Sequence, residues 1–140
     1  MSCFCPCNVH ERGCMPVYKT TESACADVAL PEDVSILPGE IRKIPLDISF
    51  DIPNGHKIVM YPRSSLLTKY GLMCPTSIID SDYSGQIIHW PVINLSKNPV
   101  LLERGTRVAQ IECAPSYDCQ SWIHERGERT GGFGSTGENS

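Results

Sequence analysis

The stretch Ile44-Pro45-Leu46-Asp47-Ile48-Ser49-Phe50-Asp51-Ile52 decides the class of fold, because apolar and polar residues alternate along it without interruption. A period of two predicts a β-strand with one buried face and one solvated face. The adjoining Asp51-Ile52-Pro53-Asn54-Gly55 predicts a hairpin turn, since Asn-Gly readily adopts positive φ. Residues 56–61 then predict the returning strand.

Further short strands and one short helix are predicted on either side of this stretch. Residues 64–70 predict a helical turn that ends at Gly71. Segments rich in Ile and Val and bounded by turn residues predict more strands at residues 77–80, 86–95, 99–102 and 106–113. The 11 Gly and 11 Pro also disfavour long helices. We therefore expect an all-β sandwich or barrel with one short helix.

Length and charge exclude several classes of protein. A chain of 140 residues fits one domain. The net charge of -4 argues against a general nucleic-acid binder, although a single nucleotide needs only a few local cations. No run approaches the roughly 18 apolar residues of a membrane span, and no signal peptide is visible. We expect a soluble cytoplasmic protein, or a nuclear one if its source is eukaryotic or viral.

The composition divides the chain into three parts. Residues 1–13 predict an irregular, cysteine-rich N-terminus, residues 14–125 the β domain, and residues 126–140 a flexible glycine-rich arm. Four of the 8 cysteines lie close together near the N-terminus: Cys3, Cys5, Cys7 and Cys14. Their C-x-C-x-C spacing differs from the C-x-x-C pair of structural zinc sites. Incidental reduced thiols are therefore favoured over a metal or redox site.

Arg63-Ser64-Ser65 is the first candidate for binding an anion. Pro62 cannot continue a central strand, so a helix begins here. Free N–H groups, hydroxyls and a guanidinium would then converge on one place. The alternative is an ordinary serine cap beside a surface arginine.

Three polar residues beside apolar runs are candidates for catalysis. Asp80 follows Ile78-Ile79 and so projects from a strand end, where it could bind a metal ion or activate water. The alternative is a structural turn in which Tyr83 covers the sheet. Asp27 stands among small apolar residues, and Gln110 lies within a strand. These last two signals are weak when taken separately.

The arm contains Gly131-Gly132-Phe133-Gly134-Ser135-Thr136-Gly137, which differs from a plain linker by its phenylalanine. Glycine backbones approach phosphates closely, hydroxyls donate to phosphate oxygens, and an aromatic ring can stack on a base. No G-x-x-x-x-G-K-[ST] motif is present, which excludes a P-loop. The sequence predicts a lid over a phosphate-bearing ligand.

Taken in order, these segments resemble the trimeric dUTPase family over residues of about 15 to 137. The resemblance implies a jelly-roll-like fold of the β-clip type and a homotrimer with shared active sites. It implies hydrolysis of dUTP to dUMP and pyrophosphate with Mg2+ on the triphosphate.

The resemblance also implies roles for individual residues. Asp80 would be the base, while Asp27 and Gln110 would hold waters around Mg2+ and the nucleophile. Tyr83 would pack on the deoxyribose, and Phe133 would cover the uracil. The remaining implied substrate contacts are Arg63, Ser64, Ser65, Cys74, Ser77, Ile79, Gly134, Ser135 and Thr136.

Two departures from the family pattern affect the residues expected to contact uracil and the γ-phosphate. Cys74 and Ser77 replace the family's usual Asn and Gly in the segment of residues 72–79 that contacts uracil. Glu128 occupies the place of the arm's usual arginine, so Arg126 or Arg129 would supply that charge. We favour Arg126, which keeps the Arg-Gly pair.

Two other functions remain as alternatives to a dUTPase. One is a binding or regulatory protein of the same family with weak or no catalysis. The other is a dCTP deaminase relative, which is disfavoured because residues 85–90 contain no glutamate.

Overall fold

The computed structural model describes residues 2–130, which form eleven short strands, one α-helix (α1, Ser64–Tyr70) and one 3-10 turn (Ser81–Tyr83). The strands are β1 (Cys7–Val9), β2 (Ala26–Ala29), β3 (Val34–Ile36), β4 (Ile41–Pro45), β5 (Ile48–Phe50), β6 (His56–Pro62), β7 (Leu72–Met73), β8 (Ser77–Ile79), β9 (His89–Asn94), β10 (Val100–Leu102) and β11 (Arg107–Pro115). No helix in this part of the chain is long and apolar enough to cross a membrane.

The strands form four antiparallel sheets. The largest has the order β2-β11-β6-β8, and a second has the order β4-β9-β7. Strand β1 pairs with β5, and β3 pairs with β10. One hydrophobic core receives side chains from all four sheets, among them Trp90, which is 1% exposed. The prediction of an all-β, jelly-roll-like fold is confirmed, in an open sandwich form rather than a closed barrel.

The long strand predicted over residues 44–52 is interrupted at Asp47. Asp47 has a φ of 58°, so β4 ends before it and β5 begins after it. The N-terminal segment holds this conformation, because His10 N–H donates to the Asp47 carbonyl at 3.0 Å and Arg12 N–H to the Asp47 carboxylate at 2.7 Å. Ile44 and Ile48 are buried as predicted. The alternation therefore identified the buried face correctly but not the break.

The turn predicted at Asn54-Gly55 forms, but the predicted hairpin does not. Gly55 has a φ of 76°, and His56 N–H donates to the Pro53 carbonyl at 3.1 Å. Strand β5 pairs with β1 on one edge, whereas β6 lies between β11 and β8. The two strands flanking the turn thus belong to different sheets.

The N-terminal segment was predicted to be irregular, but part of it forms a strand. Strand β1 pairs with β5 in a register that places Cys7 opposite Phe50. Farther along, Gly13 packs so closely on the Asp47 turn that an added Cβ would lie 2.2 Å from the Asp47 carbonyl oxygen. Backbone pairing and this close approach attach the segment to the β domain.

Asn94 joins several loops of the sandwich at the end of β9. It is fully buried, and its side-chain amide donates to the carbonyls of Ile36 and Asn98, both at 2.9 Å. Its side-chain oxygen accepts from the N–H of Ser96 at 2.9 Å and from the Ser96 hydroxyl at 2.7 Å. One side chain therefore satisfies polar groups from two separate parts of the chain.

The predicted helix and the four remaining predicted strands form. Gly71 ends α1 in the left-handed conformation at a φ of 72°, as predicted. Strands β8, β9, β10 and β11 lie at or within the segments proposed for them, and β11 continues beyond its segment to Pro115. Strands β2, β3 and β7 are only two to four residues long and were not predicted.

Candidate active site

The register of the largest sheet places three polar side chains in one row. Gln110 on β11 lies opposite Asp27 on β2 and opposite Tyr61 on β6. Directly opposed residues in an antiparallel pair have Cβ atoms roughly 5 Å apart. Asp27 and Gln110, which the sequence suggested separately and weakly, are therefore neighbours.

Two arginines surround this row. Arg107 pairs with Asp27 through an Nη1–Oδ2 distance of 2.9 Å, and the Asp27 side chain is only 15% exposed. Arg63 donates from Nη1 to the Arg107 carbonyl at 2.9 Å. The expected site residue Arg63 thus lies beside the row, whereas Arg107 was not predicted. A signal for Arg107 was present, since it lies three residues before Gln110 near the start of β11.

Asp27, Gln110 and Tyr61 line an open cleft of about 660 Å³, which we call the sheet cleft. Glu112 and Thr76 also line it, and the Tyr61 hydroxyl donates to the Glu112 carboxylate at 2.5 Å. This hydrogen bond, with lesser help from desolvation, raises the pKa of Tyr61. Tyr61 and Glu112 were not identified from the sequence, because only the strand register places them beside Gln110.

The start of α1 exposes both predicted serines near this cleft. Ser64 and Ser65 are the first two residues of the helix, and no side chain caps it at Arg63. The serine-cap alternative is therefore wrong. The N–H groups of the first turn are left without a side-chain cap, an arrangement that suits an anion.

A second polar cluster lies at the end of β8, and we call its four members, Asp80, Asp82, Tyr83 and Arg129, the Asp80 turn. Asp80 is exposed, as expected for a residue that projects from a strand end. Tyr83 is 7% exposed, and its hydroxyl donates to the Ile87 carbonyl at 2.8 Å. Burial raises the pKa of Tyr83, and nearby Arg129 partly offsets the rise. Tyr83 therefore covers the sheet and still borders Asp80.

Arg129 is the arm arginine that reaches Asp80. It forms ion pairs with Asp80 and with Asp82, the latter at an Nε–Oδ1 distance of 2.5 Å. Arg126, which the sequence favoured as the γ-phosphate ligand, pairs with Asp118 at 2.8 Å and lowers the pKa of that carboxyl. The expected contacts Phe133, Gly134, Ser135 and Thr136 lie outside the described residues.

The sheet cleft and the Asp80 turn lie apart within one chain. The register between β6 and β8 places Ile79 opposite Ile58, which brings Asp80 level with Lys57. Tyr61, at the cleft, is four residues farther along β6, or roughly 13 Å along the strand. A single water could not contact both Asp80 and Gln110 at that separation.

The segment expected to contact the uracil spans strands of two different sheets. Strand β7 pairs with β9, whereas β8 pairs with β6. Cys74 lies between β7 and β8 along the chain and is partly buried against the core. Ile79 is 3% exposed. Ser77 is half-buried in β8. The Ile79 side chain is thus part of the core and does not face a ligand.

The cysteine-rich N-terminus packs on the core. Cys3, Cys5 and Cys7 line a cavity of about 300 Å³ together with Cys113. Among residues 2–130, no three His, Cys, Asp or Glu side chains are arranged to hold a metal ion. All eight cysteines are free thiols.

The structure is that of a small all-β protein in which two clusters bring together carboxylates, an amide and guanidinium groups. The chain belongs to the dUTPase family, whose model matches residues 11–137. It is 37% identical to the deoxyuridine 5'-triphosphate nucleotidohydrolase of Maricaulis maris, over 94% of this chain and 93% of that relative.

Two solved structures share the fold. A mutant dUTPase of Staphylococcus bacteriophage 80alpha with dUpNHpp has a TM-score of 0.78 at 21% identity and covers 97% of this chain and 99% of its own. A mutant dUTPase of Staphylococcus aureus phage phi11, described with a structural Mg(II) ion, has a TM-score of 0.78 at 20% identity and covers 88% of this chain and 97% of its own.

Proposed function

We propose that this chain is a dUTP diphosphatase, which hydrolyses dUTP to dUMP and pyrophosphate. The observation that carries the proposal is the family match over residues 11–137, which includes both polar clusters and the glycine-rich motif of the arm. A curated relative that covers nearly the whole chain bears the name of the same activity. Such an enzyme limits uracil incorporation into DNA and supplies dUMP.

We assign the chemical step to Asp80, with Gln110 helping to orient the water. An exposed carboxylate at a rigid strand end can accept the proton of a water that attacks the α-phosphorus. Ser64, Ser65 and Arg63 would bind the phosphates beside the start of α1. Positioning and charge neutralisation provide most of the catalysis in phosphoryl transfer.

The base and the sugar would be bound by other parts of the chain. Tyr83 would pack against the deoxyribose and exclude a 2′-hydroxyl. Phe133 of the arm would stack on the uracil, and Ser135 and Thr136 would contact the outer phosphates. Uracil itself would be read by groups of the segment that contains Cys74 and Ser77.

The donor groups of the sheet cleft fit Mg2+. Mg2+ prefers oxygen ligands and is usually bound through one or two carboxylates plus substrate phosphates. Asp27 offers a carboxylate and Gln110 an amide oxygen, in adjacent positions of the sheet. Asp27 would hold the ion through water, and the ion, when bound, would neutralise charge on the triphosphate.

The division of the site supports an assembly of subunits with shared active sites, which we propose to be the homotrimer that the family resemblance implies. Asp80 and Gln110 lie too far apart in one chain to act on the same water, so the sheet cleft of one subunit would have to face the Asp80 turn of another. The same assembly would allow an arm to reach a neighbour's site.

We also propose that the enzyme acts in the cytoplasm, or in the nucleus if its source is eukaryotic or viral.

Turnover of four nucleotides by the purified protein tests the activity. With Mg2+ we expect pyrophosphate release from dUTP and little from dCTP, dTTP or UTP, and we expect EDTA to stop the reaction. Uridine-type product from dCTP would indicate the deaminase alternative. No turnover of any nucleotide would leave only the binding protein, which the family relatives do not favour.

Asp80→Asn tests the base. We expect turnover to fall by at least about 10², while the affinity for dUpNHpp, measured by calorimetry, stays within a few-fold of wild type. Asp51→Asn is the matched control, because it removes another exposed carboxylate, which lies outside both clusters. Near-normal turnover by Asp80→Asn would show that another group is the base.

A further inference from the structure

The N-terminal thiols lie beside Cys113 of β11 at one end of the sandwich. Cys3, Cys5 and Cys7 alternate along the chain, and all three line the cavity of about 300 Å³ that Cys113 also lines. The thiol of Cys113 interacts with those of both Cys3 and Cys5. Cysteines from opposite ends of the β domain therefore face a single cavity.

These thiols differ in their access to solvent. Cys3 is exposed, whereas Cys5, Cys7 and Cys113 are half-buried. Burial raises the pKa of Cys113 to about 12 and that of Cys7 to about 11, so both stay protonated at neutral pH. Because the thiolate is the form that reacts with an oxidant, these two thiols are poor first targets. An oxidant that reaches the cluster therefore reacts with Cys3 first.

The backbone allows Cys3 to adjust its position toward Cys113. A disulfide needs a specific arrangement of its two Cβ atoms, so at least one partner must be able to move. Cys113 is held within β11, where it lies opposite Ile58 of β6. Cys3 precedes both β1 and Pro6, whose carbonyl accepts from Asp51 N–H at 2.9 Å. Cys3 can thus approach Cys113 without disturbing a strand.

We propose that Cys3 and Cys113 form a modification site, at which hydrogen peroxide produces a reversible disulfide between the N-terminal segment and β11. The Cys3 sulfur attacks one peroxide oxygen and becomes a sulfenic acid, while the O–O bond breaks and the other oxygen leaves as water. The Cys113 sulfur then attacks the Cys3 sulfur. The S–S bond forms, the S–O bond breaks, and the Cys113 proton leaves with the hydroxyl group as a second water. The two thiols lose two electrons, which the peroxide gains.

This disulfide connects the segment that holds the Asp47 turn to the strand that carries Gln110. Alternate residues of a strand point to opposite faces, so Cys113 faces away from the sheet cleft that Gln110 lines. Neither sulfur belongs to the proposed active site. The bond therefore stabilises the β domain under oxidising conditions without using a group that the reaction needs.

Peptide mapping of the oxidised protein tests the pairing. Cys119→Ser is the background for every sample, because Cys113 is then the only cysteine in tryptic peptide 108–126. The protein is treated with a few equivalents of hydrogen peroxide, and its free thiols are then alkylated in denaturant. Mass spectrometry should find this peptide joined to peptide 1–12, and dithiothreitol should separate the two.

Three further variants in this background identify the sulfur of peptide 1–12 that is bonded. Cys3→Ser should abolish the link, whereas the matched controls Cys5→Ser and Cys7→Ser should keep it. A link that survives in Cys3→Ser and is lost in Cys5→Ser would overturn the proposal. Cys3 recovered as a sulfinic acid, with Cys113 alkylated, would overturn it as well.

Thermal unfolding measures the effect of the bond on stability. Oxidation should raise the Tm of the background protein by roughly 5–15 °C, because the bond closes a long loop of the unfolded chain. Adding Cys3→Ser should leave the reduced Tm unchanged, since Cys3 is exposed, and should remove the rise on oxidation. A linked peptide without any rise in Tm would refute the stabilising role. None of these measurements depends on turnover, so the thiol site is tested separately from the proposed function.

Discussion

Replacing Asn94 by alanine should destabilise the whole β domain. The change removes four hydrogen bonds from a fully buried amide and leaves the carbonyls of Ile36 and Asn98 without that donor. At about 1 kcal/mol net for each bond, the free energy of unfolding should fall by about 4 kcal/mol. This is a large share of the roughly 5–15 kcal/mol that stabilises an ordinary domain.

Thermal and urea unfolding, followed by circular dichroism, measure this loss. For a chain of this length, about 4 kcal/mol corresponds to a drop in Tm of roughly 10–15 °C. Protein concentration must be held constant, because subunit assembly adds to apparent stability.

Ser96→Ala is the graded control, since it leaves the Ser96 N–H in place and removes the hydroxyl, which donates to Asn94 and also contacts the backbone of Asn98. We expect it to lose about 1 kcal/mol. A loss below about 1.5 kcal/mol in Asn94→Ala would refute the reasoning, because it would mean that the amide's partners are satisfied without it.

Two further predictions concern the N-terminal segment and the thiols. Gly13→Ala should lower Tm and reduce the free energy of unfolding by about 1–3 kcal/mol, because the added Cβ would lie 2.2 Å from the Asp47 carbonyl oxygen. Gly127→Ala should leave Tm unchanged, because no atom lies within 4 Å of its added Cβ. An equal Tm for both variants would contradict the close approach. Burial, helped by contacts with nearby thiols, raises the pKa of Cys113 to about 12. Iodoacetamide should therefore label exposed Cys119 first at pH 7.5, and labelling of Cys113 should rise about tenfold per pH unit, as peptide mass spectrometry would show.

The class of fold could be predicted from the sequence because strand alternation and helix ends depend on residues that are close together in the chain. The alternation over residues 44–52 reports which face is buried, and Gly71 after the helical segment reports where a helix ends. The break at Asp47 was not predictable in this way. Its φ of 58° is held by His10 and Arg12, which lie about 35 residues earlier in the chain.

The candidate site was predicted only in pieces for the same reason. Asp27 and Gln110 gave weak signals separately, and the pairing of β2 with β11 made them neighbours. Tyr61 joined them through the pairing of β6 with β11, which no local pattern encodes. The choice of Arg126 over Arg129 followed the Arg-Gly spacing. The contact seen at Asp80 depends instead on the path of the arm, and the γ-phosphate ligand stays a prediction.

The burial of Asn94 has a consequence for producing the protein. Asn94-Leu95-Ser96 has the form of an N-glycosylation acceptor, and the sugar would be attached to the side-chain nitrogen that donates to Ile36 and Asn98. In the folded chain that nitrogen is inaccessible to the modifying enzyme. If a eukaryotic secretory host makes this protein, glycosylated molecules will be those modified before they folded, and the bound sugar will then prevent the native packing.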